Sequence, residues 1–191
     1  MAPRIILASA SPRRRELLDR IGVDYEVLPV DIDESLFPGE APEDYVRRIA
    51  AEKSAAGLAR CGKPDLPVLA ADTAVVLGDR IMGKPRGRED ALAMLRELSG
   101  KTHRVYSAVS LRGRRHAQAL NITEVTFRHL TEREMLAYWQ SGEPPDKAGG
   151  YAIQGLGSVF VKSIRGSFSG VMGLPLFETA ELLSEQGIEI F

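Results

Sequence analysis

Cysteine is nearly absent from this sequence. Cys61 is the only one in 191 residues, so no intrachain disulfide framework can form and a reducing compartment is expected. Excess charge of one sign is missing too: 25 lysines and arginines face 26 acidic residues, a formal net charge of −1. No global field therefore draws the chain to nucleic acid or to a membrane surface, and any bound anion must be held by a local cluster. Long apolar runs are lacking. After Arg4 only Ile5-Ile6-Leu7 precede small and polar residues, and no signal peptide or transmembrane span fits there or elsewhere. The few histidines, His103, His116 and His129, show no metal-ligand spacing. No complete Walker A loop occurs, nor a Gly-x-Ser-x-Gly elbow, which leaves a P-loop ATPase and a Ser-His-Asp hydrolase unsupported. The rest is 44% hydrophobic and 27% charged, ordinary for a globular chain able to bury a sizeable core unaided.

Hydrophobic spacing places the elements. Arg4 to Ala8 reads as a short buried strand, and Ser11 with Pro12 as the N-cap and first position of a helix that Gly22 stops. Tyr25 to Ile32 is strand-like. A helix is predicted from Pro42 to Arg60, with Tyr45, Val46, Ile49, Ala50 and Ala56 as its apolar stripe. Pro67 to Leu77 reads as a central strand, Gly78-Asp79 as a turn, and Arg80 to Met82 as the returning strand. A helix over Arg88 to Leu98 ends at Gly100. His103 to Leu111 and Asn121 to Leu130 form a hairpin around Arg112-Gly113-Arg114, with Arg112 to Arg115 solvated at its tip. Thr131 caps a helix from Glu132 to Gln140, with Glu134 at the capping-box position. Tyr151 to Ile164 is strand-rich, Leu174 to Gln186 is a closing helix, and Ile188 to Phe191 a last strand. With no repeat and no separating linker, the expectation is one α/β domain over residues 1–191, a central mixed β-sheet flanked by helices.

Several residues resist a purely structural account. Arg13, Arg14 and Arg15 crowd the first turn of a helix, where the macrodipole disfavours each cation by roughly 0.3–1 kcal/mol. An anion docked on the free N–H groups there would turn the same charges into an advantage. Asp72 interrupts an apolar strand, and a desolvated carboxylate must meet a cation, a metal or a cavity. Lys53 falls on the apolar stripe of its helix, where a snorkelling lysine is the commoner explanation. Lys84 sits in a loop between Gly83 and Pro85. Glu34 closes an acidic stretch after the second strand that, by itself, reads as exposed loop.

Taken in order, these residues closely resemble the Maf family of nucleotide pyrophosphatases. The resemblance rests on Ala8-Ser9-Ala10-Ser11-Pro12-Arg13-Arg14, Glu34, Lys53 within Ala51-Glu52-Lys53-Ser54-Ala55, Ala71-Asp72-Thr73 and Gly83-Lys84-Pro85. It continues through Leu98-Ser99-Gly100, the run from Asp146 to Gly155, and Gly173-Leu174-Pro175, and so covers nearly the whole chain. Gly83, where relatives often carry a bulkier or acidic residue, and Ser107, in place of a commoner threonine, are the small departures.

The resemblance implies an elongated α/β fold with a cleft between two lobes, like that of the inosine triphosphate pyrophosphatases. It implies removal of pyrophosphate from a nucleoside triphosphate with Mg²⁺ or Mn²⁺, in the cytoplasm. Asp72 takes the family's general-base position; Ser11, Arg14, Lys53 and Lys84 take its phosphate-contacting positions, and Glu34 its acidic partner. Asp72 and Glu34 would hold the metal, and Asp72 would accept the proton of the attacking water. Arg13, Thr73 and Gln154 match the branch that acts on dTTP and UTP, and relatives acting on 7-methyl-GTP differ there. A base site of this kind would offer donors from Arg13 and Gln154 and a hydroxyl contact from Thr73. Neither a nucleic-acid nor a membrane partner is expected, and a homodimer is the default assembly. The competing readings are an enzyme for 7-methyl-GTP or another modified nucleotide, a nucleotide-sensing regulator of cell division that acts by protein contact, and a nucleic-acid binder. The absence of a basic face with interleaved aromatics weighs against the last.

Overall fold

The computed structural model describes residues 4–191, so the first three positions of the stretch read for a leader lie outside it. Among the described residues one mixed sheet carries seven strands in the order β2-β1-β3-β5-β6-β7, with β4 paired to β3. The strands are β1 (Ile5–Leu7), β2 (Tyr25–Val27), β3 (Val68–Leu77), β4 (Arg80–Met82), β5 (Thr102–Arg112), β6 (His116–Phe127) and β7 (Val161–Arg165). β1 runs parallel to β2 and β3, and the remaining pairings are antiparallel. Flanking helices are α1 (Pro12–Arg20), α2 (Pro42–Arg60), α3 (Arg88–Leu98), α4 (Glu132–Gln140), α5 (Phe168–Met172) and α6 (Leu176–Glu185). The expected α/β class with a central mixed sheet is therefore present.

Strand alternation sorts β3 between two layers. Leu69, Ala71 and Val75 join the main core with Leu17 and Leu18 of α1, Leu92 and Leu95 of α3, and Leu183 of α6. Val68 and Ala70 on the opposite face pack with Ile6 and Ala8, while Ala74 and Val76 pack with Val46 and Ala50 of α2. Asp72 has the parity of that second face and falls between its two apolar clusters. α2 spans the predicted range and buries Val46, Ile49, Ala50, Ser54 and Gly57 rather than Ala56. α4 also follows prediction, with both halves of the Thr131–Glu134 capping box formed.

Elsewhere the structure corrects the reading. β2 stops at Val27, where Leu28 makes one last bond to Leu7 and Pro29 has no N–H to continue the ladder. Between Tyr151 and Ile164 the chain forms a 3-10 turn over Leu156–Phe160 and then β7, not an extended strand-rich stretch. β6 starts at His116, and the short helix α5 lies where none was predicted. Ile188 to Phe191 forms no strand: Ile188 N–H bonds back to Leu183, and Ile188 and Ile190 pack on the core. Arg112 is no solvated tip residue, because its Nε donates to Ser54 Oγ at 2.9 Å.

On β5, His103 is buried beside Phe127 of β6 and its Nε2 lies 2.7 Å from the Tyr151 hydroxyl. Nδ1 has no partner among the described residues. Burial holds the imidazole down, from an ordinary 6.5 to about 4. The unfolded chain thus binds a proton in this window that the folded chain refuses, so stability drains away as pH falls from the upper value toward the lower. The loss is about 3 kcal/mol at most. In His103→Gln, which can hydrogen-bond Tyr151 but not charge, the Tm gap to wild type should narrow between about pH 7.5 and about pH 5. A gap independent of pH would show that His103 is not held neutral.

Candidate active site

One edge of β3 is occupied by β5 throughout, from Val68 to Val76. The other edge is shared. β1 pairs there with Val68 and Leu69, and β4 with Val75 to Leu77. The strand edge between them has no neighbour, and into that gap opens a cleft of about 520 Å³. The gap also lies where β1 hands over to the N-terminus of α1, the carboxyl end of a parallel strand at which α/β sheets tend to bind ligands. Every predicted site residue lines this cleft: Ser11, Arg13, Arg14, Glu34, Lys53, Asp72, Thr73, Lys84 and Gln154.

Asp72 is 6% exposed and ion-paired with Lys53, Nζ to carboxylate oxygen 2.9 Å. The same Nζ lies 2.9 Å from Glu34, whose side chain is 51% exposed. Lys53 is thus no snorkelling surface lysine; it bridges a buried and a half-open carboxylate. Burial pushes the Asp72 carboxyl above its ordinary value; the charges of Lys53 and Arg14 pull it back, and Glu34 adds to the rise. Glu34 is placed by its own backbone, since its carbonyl accepts from Tyr45 Oη at 3.0 Å. Arg48 ties the same loop to α2 through Ser35 O and Glu40.

α1 begins at Pro12 with Ser11 in the N-cap position, but the Ser11 side chain caps nothing. Ser9 makes the local bonds instead, its Oγ accepting from the Ser11 N–H at 3.2 Å and from Arg14 at 3.2 Å. Arg14 also donates from Nε to Gly173 O at 2.8 Å, so it fastens α1 to the end of α5. Its sequence neighbours part ways. Arg13 lines the cleft, and Arg15 is exposed outside it.

Thr73, on the opposite parity to Asp72, lies 2.9 Å from Ser107 Oγ, and that hydroxyl donates to Gly170 O at 2.6 Å. Because the Ser107 proton is committed, Thr73 must be the donor in their shared bond, and it turns only acceptor capacity toward the cleft. Both bonds use the hydroxyl that serine shares with the commoner threonine, so Ser107 keeps the partner Thr73 needs.

Residue-by-residue reading of the sequence missed Lys147, which also lines the cleft. Burial lowers its ammonium below the usual range, and Arg13 and Lys84 push the same way. Among the described residues, none of these three cations has an ion-pair partner within 4 Å. The sequence signal for Lys147 was its place in the run from Asp146 to Gly155. Asp146 beside it takes φ +67°, the one non-glycine positive φ among the described residues. Gly149 follows at φ +69°, where a Cβ would stand 2.9 Å from Val75, and its N–H bonds Gly83 O at 3.0 Å. That bond ties the Lys147 turn to the Lys84 loop.

Fold and site together define an α/β protein whose sheet-edge cleft sets Arg13, Lys84 and Lys147 around a buried carboxylate. The chain belongs to the Maf family: the Maf-like protein model matches residues 4–186. A dTTP/UTP pyrophosphatase of Methylococcus capsulatus (strain Bath) is 59% identical over 97% of this chain and 92% of its own length. Proteins of the same name from Alkalilimnicola ehrlichii and Escherichia coli O157:H7 are 56% and 52% identical. They cover 98% and 94% of this chain, and 95% and 91% of their own lengths. A solved nucleoside-triphosphatase (dITP/XTP pyrophosphatase) of Mycobacterium abscessus aligns over 96% of this chain and 94% of its own at 17% identity. Its TM-score of 0.45 is too loose to add to what the sheet order shows directly.

Removing Lys53 leaves Asp72 buried without its cation, so Lys53→Met should destabilise the fold by about 3 kcal/mol. Adding Asp72→Asn should restore much of that loss in urea unfolding. Equal losses in the single and double variants would sink the pairing.

Proposed function

We propose that the cleft hydrolyses nucleoside triphosphates between the α- and β-phosphorus, with dTTP and UTP as its substrates. The observation that carries this reading is a buried carboxylate of raised affinity for protons, set in a wall of unpaired cations. The names of the relatives, 52% to 59% identical, support the same chemistry and the choice of base. We read the chain as one functional unit, because the cleft draws on residues from Ala8 to Gly173.

Lys84, Lys147 and the α1 N–H groups, with the free Ser11 hydroxyl, would take up the phosphate charge and stabilise the pyrophosphate as it leaves. Arg14, already fastened to Gly173, would reach the α-phosphate as a fixed cation. Asp72 accepts a proton from the water that attacks the α-phosphorus in line. As that P–O bond forms, the bridging bond to the β-phosphorus breaks, and the pyrophosphate carries off the electron pair. A carboxyl held above its ordinary range is a better proton acceptor at neutral pH than a fully solvated aspartate. Thr73, an acceptor, complements the N3–H that thymine and uracil share; Gln154 and Arg13 supply donors for the two carbonyl oxygens O2 and O4.

The metal reading meets a specific donor set. Asp72 and Glu34 offer oxygens only, as Mg²⁺ and Mn²⁺ prefer, and among the described residues no group of three or more acidic, Cys or His side chains forms a closed cage. Two carboxylates completed by substrate phosphates suit a magnesium ion that arrives with the nucleotide, which requires Lys53 to yield its central place. Such a cation, when bound, would supply charge neutralisation across the phosphates and acidify a water. We place this work in the cytoplasm, whose reducing conditions the lone Cys61 fits. The assembly in this reading is a homodimer, and light scattering of the purified protein reports it.

Purified protein with Mg²⁺ should release pyrophosphate from dTTP and UTP and form the matching monophosphates. Asp72→Asn should lower that rate by about a thousandfold or more while the protein stays folded. Release chiefly from 7-methyl-GTP would overturn the pyrimidine assignment, and near-normal turnover by the variant would remove Asp72 from the mechanism. Triphosphate that raises Tm without being consumed would favour the nucleotide-sensing regulator over the enzyme.

A further inference from the structure

Gln154 stands at the apex of a loop that leaves the cleft wall at Tyr151 and returns at the 3-10 turn Leu156–Phe160. Its side chain has no hydrogen-bond partner among the described residues, so it is available to a ligand. It is available only if the loop holds still, and such short glycine-rich segments do not hold themselves.

Two side chains outside the cleft lining hold this one. Tyr138, on the last turn of α4, donates its hydroxyl to Glu143 at 2.5 Å and accepts the Ala152 N–H at 3.0 Å. Glu143 accepts the Leu156 N–H at 2.8 Å with one oxygen and the Gly157 N–H at 2.9 Å with the other. The backbone is gripped two residues before Gln154 and again two and three residues after it. Gly155 is what lets the carboxylate so close: a Cβ there would stand 1.9 Å from Glu143 Oε1. The Tyr138 ring is buried edge-on to Phe160, centroids 4.9 Å apart, which anchors the clamp in the core. Burial alone would raise the Glu143 carboxyl, but the bonds from Tyr138, Gly157 and Leu156 more than offset it and keep the group below its usual range.

We propose that Glu143 and Tyr138 are positioning residues for base selection, clamping both flanks of the Gln154 loop so that Gln154 meets the base in one fixed orientation. The proposal rests on Gln154 facing the base in the function proposed above. Neither residue lines the cleft, so neither touches the phosphates or the reacting water. The clamp therefore governs which base is accepted and leaves the chemical step alone. A preorganised amide discriminates because a wrong base leaves its donor or acceptor buried and unpaired; a loose amide can turn away to water.

Glu143→Gln keeps the volume but sets an amide NH₂ against a backbone N–H, and Tyr138→Phe strands the Ala152 N–H. Each should raise KM for dTTP and UTP by about tenfold and lower their preference over dCTP by a similar factor, with kcat on dTTP changed by less than about threefold. Inhibition by inorganic triphosphate, which has no base, should stay at the wild-type Ki in Tyr138→Phe, the variant that leaves the Glu143 charge near Lys147 in place. Gln154→Ala should reproduce the shift in preference, and Glu143→Gln added to it should add nothing further, as expected of residues that act through one another. Should Glu143→Gln fail to fold, Gly155→Ala forces the loop off the carboxylate from the other side and should shift the preference in the same sense.

Equal loss of kcat on every triphosphate, together with weaker binding of inorganic triphosphate, would overturn the proposal in favour of a general structural role. If Gln154→Ala changes base preference and the clamp variants do not, the clamp alone falls. If Gln154→Ala leaves preference unchanged, the base-facing premise falls and takes the clamp with it. A wild-type protein that releases no pyrophosphate overturns the function itself.

Discussion

The Asp72–Lys53–Glu34 chain is the contact on which the rest of the site depends. A carboxylate in the middle of an apolar strand is costly to desolvate, and its partner must come from the layer that covers that face. α2 is that layer. Its stripe buries Val46, Ile49 and Ala50, which fixes the register and brings Lys53, seven residues beyond Val46, over Asp72. The lysine does not neutralise the site completely, because Glu34 shares it. Burial is the main cause that raises the proton affinity of Asp72; Lys53 and Arg14 pull against it, and Glu34 adds a little to the rise.

Sheet topology explains why this chain of charges is reachable. A strand flanked along its whole length would seal Asp72 inside. Here β1 ends after three residues and β4 is equally short, so the edge of β3 is covered at both ends and open between them. Thr73 and Asp72 point to opposite faces, yet both reach the opening because the missing neighbour exposes the strand from its side. The α1 N-terminus, the Lys84 loop and the Lys147 turn then fill the rim, and the Gly149–Gly83 bond couples the last two.

Much of this was legible in the sequence. The helices over 42–60, 88–98 and 132–140 were readable because their apolar period, prolines, acidic first turns and capping box all agree. Asp72 was legible because a charge inside an apolar strand has so few explanations. The segment from Tyr151 to Ile164 was not, since its apolar residues pack irregularly around glycines whose backbone is set by distant groups such as Glu143. The last strand failed for a related reason: apolar residues at a chain end can bury against a core without joining a ladder. Lys53 is the instructive case. Alone it reads as a snorkelling lysine, and only the placement of α2 on β3 distinguishes that from a bridging cation.

The cleft is a local defect in stability that the fold must carry elsewhere. Arg13, Lys84 and Lys147 repel one another across it, Asp72 is desolvated, and Asp146 holds an unfavourable backbone angle. The surface ion pairs do little to offset this. Pairs such as Arg96–Glu132 and Arg115–Glu185 are solvent-exposed, and such pairs contribute about 0–1 kcal/mol each. The compensation has to come from the apolar layers, where Leu69, Leu95, Val109, Leu111 and Leu183 are fully buried. Positioning is delegated in the same way. Arg14 is fixed by Gly173 on the cleft wall, Thr73 by Ser107 and the Gln154 loop by Glu143, the last two outside the cleft lining. A cleft arranged like this leaves Thr73 and Gln154 open to a ligand, because Ser107, Glu143 and Tyr138, which hold them or their loop, stand outside its lining.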